Sequence, residues 1–403
     1  MRILMFEPDA GGHRLTYLRQ LLPALDGLGE VSVVVGEQAI GGEAFRHQLG
    51  PLRDKYRFES VNFEPQGGLV GKARARLEAL RVAIGATKPE HIFLPSGDGL
   101  AQLLGAPGFG GRGVIPSGVE CEAGMHRGSF AYTMGSRRSR AQNRLGLWAL
   151  ARSPLARVQF VDVMAYEWLR DHGHALARRA SVLADPVDPV EPVEQVEARR
   201  RLGIPEDGRL IGTSGHLDAR KGVDLLVRAF GGAKLASNDR LLLAGRPSPG
   251  ITAALNGEFE PLVNSGRVIP LTRYLSDEEL SLTLAACDVV CTAHPSHVGL
   301  SNICLRAAAA GRPVLSGDYG WFERVVGGFK LGWTCRVTDP GAFSGAIARS
   351  LDEAPSFTRG EQAGRLLEFH SQANSRRTFV SHLRARLGLG ADLELRTWEW
   401  ACS

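Results

Sequence analysis

Leu210-Ile-Gly-Thr-Ser-Gly-His-Leu-Asp-Ala-Arg-Lys-Gly-Val-Asp-Leu-Leu-Val-Arg-Ala-Phe230 sets the reading of the whole chain. Leu210 to Thr213 form a short apolar run suited to a buried parallel strand, Leu217 to Lys221 a turn, and Val223 to Phe230 a helix. The same order recurs on either side. Downstream, strands are predicted at Leu241 to Ala244, Val268 to Leu271 and Val289 to Thr292. A helix over Asn302 to Ala310 stops at Gly311, and Pro313 opens a further strand. Upstream, Ile3 to Phe6 and Val31 to Val35 read as strands around a helix whose Leu15, Leu18, Leu21, Leu22 and Leu25 repeat at helical spacing. His91 to Leu94 and Val158 to Val163 complete the series. Strands alternating with amphipathic helices imply parallel sheets covered on both faces. Ser276 with Glu279, and Thr358 with Glu361, spell capping boxes, and Asn374 is placed to cap a last helix running to Gly388.

A chain of 403 residues exceeds what one hydrophobic core sustains, so two domains are expected. Ala184-Asp-Pro-Val-Asp-Pro-Val-Glu-Pro-Val193 favours extended chain and marks the boundary. Residues 1–190 are read as an N-terminal acceptor-side domain and 191–373 as a C-terminal donor domain. Residues 374–403 are read as a helix crossing back to the first domain, plus a tail. With 44% hydrophobic and 23% charged residues the chain is not disordered, and no short-period repeat marks a solenoid. Its six cysteines lack paired metal-ligand spacing and read as reduced thiols, so no metal is expected. The opening Met-Arg-Ile-Leu-Met-Phe turns polar at Glu7, too short for a signal peptide, and no apolar run approaches the ~20 residues of a membrane span. A cytoplasmic protein is expected. Net charge is +5, with Arg137, Arg138, Arg140 and Arg144 beside the apolar run Leu145 to Leu150. That segment reads as a solvated basic helix face, or as one drawn to an anionic membrane leaflet or a phosphorylated acceptor. It has few stacking aromatics and matches no nucleic-acid module.

In open α/β sheets ligands bind beyond the carboxyl ends of strands, often on helix N-termini. No Gly-x-Gly-x-x-Gly follows the first strand and no Walker sequence occurs, which disfavours dehydrogenases and P-loop enzymes. The first strand ends instead in Asp9-Ala-Gly-Gly-His13, where Gly12 lets backbone approach a ligand and His13 opens a helix. A plain tight turn explains the same residues. In the second series Gly215 leaves room for a ligand, and Arg220 and Lys221 present cations to a diphosphate. His294-Pro-Ser-His-Val-Gly-Leu-Ser-Asn302 then opens a helix whose first amides, around Leu300, Ser301 and Asn302, suit a phosphate. A Ser/Asn helix cap without a ligand remains the alternative.

These residues resemble the retaining family 4 glycosyltransferases (glycosyl transferases group 1) of the GT-B fold. Gly215-His216-Leu217 with Lys221-Gly222 matches that family's diphosphate turn, His216 standing for its usual arginine. Gly299 and Ala307 to Gly311-Arg-Pro-Val314 match its donor segment, followed by Asp318-Tyr-Gly320. The resemblance implies two Rossmann-like domains with parallel sheets facing across a cleft. It further implies a nucleotide-sugar donor, no cofactor, no metal, and sugar transfer with retention onto an acceptor that is a glycan, lipid-linked or a small molecule. Gly12, Gly215, His216, Arg220, Lys221, Gly299, Leu300, Ser301, Asn302 and Arg306 are the implied donor residues, and His13, Asp98 and His126 the implied acceptor-side groups. The family's two glutamates fall on Val298 and Arg306, so both carboxylates are replaced. Arg306 is left to meet a phosphate or base, or to pair with an acidic neighbour such as Glu323. Two rivals stand: a non-catalytic binding protein that kept the fold, and a nucleotide-sugar epimerase, which would need acid/base carboxylates that the sequence does not reveal.

Overall fold

The computed structural model describes residues 1–9, 14–63, 68–132, 135–188, 192–390 and 394–403, residue 69 by its backbone alone. The chain divides into two compact units, Met1–Pro186 with Gln372–Trp398, and Val187–Ser371 with Glu399–Ser403.

The first unit is built on seven parallel strands: β1 (Arg2–Glu7), β2 (Glu30–Gly36), β3 (Arg57–Val61), β4 (His91–Leu94), β5 (Glu120–Met125), β6 (Arg157–Phe160) and β7 (Ala180–Val182). Their order is β3-β2-β1-β4-β5-β6-β7. β1 reads Arg-Ile-Leu-Met-Phe-Glu and is buried at every residue after the first, as a strand covered on both faces must be. The helix Gln372–Arg386 closes this unit. Phe379 packs against Phe93 of β4, its carbonyl accepts from Gln159 Nε2 at 2.8 Å, and Ser375 Oγ donates to Ala184 O at 2.6 Å.

The second unit repeats the plan with β8 (Leu210–Ser214), β9 (Arg240–Ala244), β10 (Val268–Leu271), β11 (Val289–Thr292), β12 (Val314–Gly317) and β13 (Gly332–Cys335), all parallel. Their order is β10-β9-β8-β11-β12-β13. In each sheet the strand order reverses once, at β1/β4 and at β8/β11. Those reversals open the crevices where ligands of such sheets sit. Arg199 locks the opposite end of the second one. Its buried guanidinium donates to the carbonyls of Ala286, Glu206 and Gly208 and to Asp288 Oδ2, all at 2.9–3.0 Å. Asp288 Oδ2 also accepts from Leu210 N, which ties β8 to the segment entering β11.

Three local expectations are corrected. β6 ends at Phe160, because Asp162 caps the helix Val163–Asp171 by accepting from Met164 N. The helix Glu361–Phe369 starts behind Gly360 with no side-chain cap, so Thr358 and Glu361 form no capping box there. Asn374 lies buried inside the helix Gln372–Arg386, exchanging two 2.9 Å bonds with the backbone of Arg396. The Ser276–Glu279 capping box is present, with bonds of 2.9 and 3.1 Å. Among the described residues no helix is long and apolar enough to cross a membrane.

Candidate functional site

The loop leaving β8 is shaped by glycine. Gly215 (φ 100°) and Gly245 (φ 132°) lie in the left half of backbone space, and a Cβ on Gly245 would collide with the Gly215 carbonyl oxygen. Asp218 then caps a single turn, Ala219–Lys221, by accepting from Lys221 N at 2.9 Å. This turn folds the Lys221 side chain back over the loop. Its ammonium donates to Ser214 O at 3.5 Å and would stand 2.9 Å from a Cβ on Gly215. Burial, and then the neighbouring Arg220 guanidinium, pull the Lys221 pKa below its ordinary value. A desolvated ammonium beside a second cation gains most from an arriving anion.

The loop leaving β11 meets this turn. His294 N donates to Lys221 O at 3.1 Å, and Arg220 Nη1 lies 3.3 Å from His297 Nδ1. Gly222 (φ 70°) permits the approach, since a Cβ there would sit 3.1 Å from Ala293 and Pro295. His294 itself takes φ 40°, is buried, stacks on Phe322 at 4.9 Å and contacts the His297 ring at 5.1 Å. Its Nδ1 is buried without a hydrogen-bond partner among the described residues. The loop passes Gly299 (φ 103°) and Leu300, whose carbonyl lies 3.4 Å from His297 Nε2. It then enters the helix Asn302–Ala309 behind Ser301, which makes no side-chain cap. The N-terminus of such a helix carries the positive end of its dipole, which favours an anion. Gly215, Lys221, Arg220, His297 and the Ser301–Asn302 helix start thus gather at the carboxyl ends of β8 and β11. His216 stands at the edge, half exposed, with Nε2 3.8 Å from Asp218 Oδ2.

Burial, with His297 and Lys221 adding positive charge nearby, pushes the His294 pKa down to about 3. In the unfolded chain the imidazole titrates near 6.5. The unfolded state therefore binds the extra proton between pH 6.5 and 3. The stability this group contributes is complete above pH 6.5 and is lost as pH falls through that window. Thermal melts of the wild type should lose up to ~1.4 kcal/mol per pH unit in it. His294→Asn, which tolerates a positive φ, should flatten that slope. An unchanged slope would refute the assignment.

Arg306 is turned away from this gathering. It is buried, and its guanidinium reaches Asp277 Oδ1 (3.4 Å), Asp277 O (3.4 Å) and Ser281 Oγ (3.3 Å) on the helix Asp277–Ala286. Asp277, not Glu323, is its acidic neighbour. Arg306→Ala should cost about 1 kcal/mol of stability. Arg306→Glu should cost more, because it sets a carboxylate against the acidic turn Asp277, Glu278 and Glu279. Melting temperatures of both variants, beside unchanged nucleotide affinity, would check this.

The first unit has its own reversal at β1/β4; the expected site residues Gly12 and His13 lie outside the described residues. The described charged residues at this reversal are Glu7, Asp9, Arg14 and Asp98. Arg14 Nη1 binds Glu7 Oε1 at 2.7 Å and Asp9 Oδ2 at 3.0 Å, and Arg76 approaches Asp9 at 3.5 Å. Burial pushes the Glu7 carboxyl up to about 6 against the pull of Arg14. Asp98 accepts from the backbone amides of His126 (2.9 Å) and Arg127 (3.2 Å), which pins the loop after β5 to the loop after β4. The His126 ring is held by Pro95 O at 3.2 Å and by the edge of Tyr17 at 5.0 Å. Asp98 thus fixes the backbone at His126. Sequence reading passed over Glu7 and Arg14, although a charged residue ending an otherwise apolar strand was a signal. Among the described residues no cluster of His, Cys, Asp or Glu is arranged to hold a metal ion.

Residues 208–353 match the family model of glycosyl transferases group 1. The D-inositol 3-phosphate glycosyltransferase of Stackebrandtia nassauensis is 29% identical over 208 residues, covering 45% of either chain. That of a Nocardioides species is 30% identical over 207 residues, 47% of this chain and 44% of its own. The match therefore spans less than half the length of those relatives. Among solved structures, HepE of Anabaena in complex with UDP superposes with a TM-score of 0.70 at 15% identity, covering 96% of this chain and all of that one. Sucrose-phosphate synthase of Thermosynechococcus elongatus gives 0.74 at 17% identity, covering 96% and 99%. The chain has the GT-B fold of two Rossmann-like units, and within it residues 208–353 are similar to the glycosyl transferases group 1.

Proposed function

We propose that the protein transfers a sugar from a nucleotide-diphosphate donor to an acceptor hydroxyl, with retention of configuration and without a metal ion. The observation that carries this reading is the meeting of Lys221, Arg220 and the helix start at Ser301–Asn302 where the strand order reverses. As the bond from the anomeric carbon to the phosphate oxygen breaks, negative charge grows on the leaving diphosphate. Two cations and aligned amides stabilise that charge where it develops. HepE, which shares this fold, was solved in complex with UDP, which supports a nucleotide donor here. Gly215 and Gly299 give the ligand room, His216 guards the loop edge, and Leu300 carries the backbone into the helix. On the acceptor side His126, positioned by Asp98, and His13 orient the hydroxyl. Arg306 acts by holding two helices together rather than by touching the donor.

Thermal-shift titration with UDP-, GDP-, ADP- and dTDP-sugars tests donor binding, because a ligand of the native state raises the melting temperature by mass action. Release of nucleoside diphosphate in the presence of acceptor tests transfer. A shift without turnover under any acceptor would favour the non-catalytic binding protein, and no shift with any nucleotide sugar would overturn the donor reading. The same proposal includes a place at the cytoplasmic face of the membrane, reached through Arg137–Arg144. Leu145 and Trp148 are exposed on that helix beside the arginines, which supports contact with an anionic leaflet. Co-flotation with anionic but not zwitterionic vesicles is the expected result.

A further inference from the structure

The helix Arg137–Ala151 borders a cavity of about 860 Å³ within the first unit. One face of that helix supplies Arg137, Arg140, Arg144 and Leu147, at helical spacings of three, four and three. Phe130, Tyr132 and Trp168 face them, Phe130 standing edge-on to Trp168 at 5.5 Å. None of the three guanidinium groups makes an ion pair or hydrogen bond among the described residues. The helix contains no acidic residue, and its first turns, where the backbone dipole disfavours cations, carry arginines instead. Local electrostatics run against the fold there, which is where a function is to be sought. Asp162, the acid that Tyr132 OH engages at 2.8 Å, is buried, and its carboxyl is pushed up to about 6 by burial.

We infer that this cavity holds a phosphorylated lipid chain, its apolar body on Phe130, Leu147 and Trp168 and its phosphate on Arg137, Arg140 and Arg144. Guanidinium groups match phosphate oxygens two at a time, and the helix amides add to the same field. A free sugar phosphate fits less well: its hydroxyls need acceptors, and Asn143 and Tyr132 are the uncharged polar side chains in the lining, with Tyr132 committed to Asp162 and Asn143 to Ser129. The exposed Leu145 and Trp148 extend the apolar rim along which a chain would continue. That the lipid presents the acceptor rests on the transferase reading above; the cavity's occupancy does not.

Farnesyl phosphate, followed by tryptophan fluorescence without donor, is the probe. Saturable binding is expected, with its signal removed in Trp168→Phe. The double variant Arg140→Gln/Arg144→Gln should bind at least tenfold more weakly while keeping the wild-type melting temperature. Farnesol and inorganic phosphate should each bind at least tenfold more weakly than the amphiphile. Equal binding of farnesol, or a response to anionic vesicles with no saturable binding of the soluble probe, would overturn the inference. If farnesyl phosphate binds and no nucleotide sugar does, the cavity stands and the transferase reading falls; the reverse pattern separates them the other way.

Discussion

Lys221→Ala should weaken nucleotide-sugar binding tenfold or more and leave the fold intact. The ammonium lies folded over the Gly215 loop, its positive charge disfavoured by burial and by Arg220. It accepts that environment without an ion pair among the described residues. Charge-assisted hydrogen bonds to an anion contribute about 1.5–3 kcal/mol each, and removing the group forfeits them. The free protein loses little, because the single bond to Ser214 O is long, and relief of the buried charge offsets it. Calorimetric titration of donor and of nucleoside diphosphate should show the same loss for both, since the contact is to phosphate. Lys221→Arg should restore part of it. Unchanged affinity in Lys221→Ala would move the diphosphate elsewhere.

Arg199→Ala should destabilise the second unit by about 3–5 kcal/mol, the cost of breaking a buried ion pair from one side. Four hydrogen bonds to three carbonyls and Asp288 are lost together, and none of those carbonyls gains another donor from alanine. The melting transition of that unit should fall on the order of 10 °C. Arg199→Lys keeps the charge but not the planar array of donors, so it should recover less than half. A loss under about 1 kcal/mol would mean that water replaces the guanidinium without strain.

Much of this architecture is legible in the sequence, and the exceptions have physical causes. Strands β1, β2, β4, β8, β9 and β11 announce themselves because a parallel strand covered on both faces must be a run of apolar residues. β3 and β13 are edge strands, half exposed, and their Arg-Phe-Glu-Ser-Val and Gly-Trp-Thr-Cys carry no such run. β5 is central yet reads Glu-Cys-Glu-Ala-Gly-Met, and Glu122 is tolerated only because His91 (3.0 Å) and Gln159 (3.2 Å) meet it inside the sheet. No local pattern shows such partners. The loops after β8 and β11 are legible because glycine, lysine and histidine there have no packing reason to follow a strand. The partner of Arg306 is not, since Asp277 lies 29 residues away and on another helix.

The second unit's sheet is drawn from one unbroken stretch of chain, whereas the first is completed by residues 372–398. On a ribosome the two would mature in reverse order of their first residues. The later segment has all its strands by residue 335, while the earlier segment must wait with Phe93 and Gln159 uncovered until Phe379 emerges. During that interval an apolar strip of a nearly finished sheet stands open to chaperones or to another nascent chain. A nascent chain stalled at residue 371 should therefore be protease-resistant in its second segment and sensitive in its first, until the closing helix is supplied.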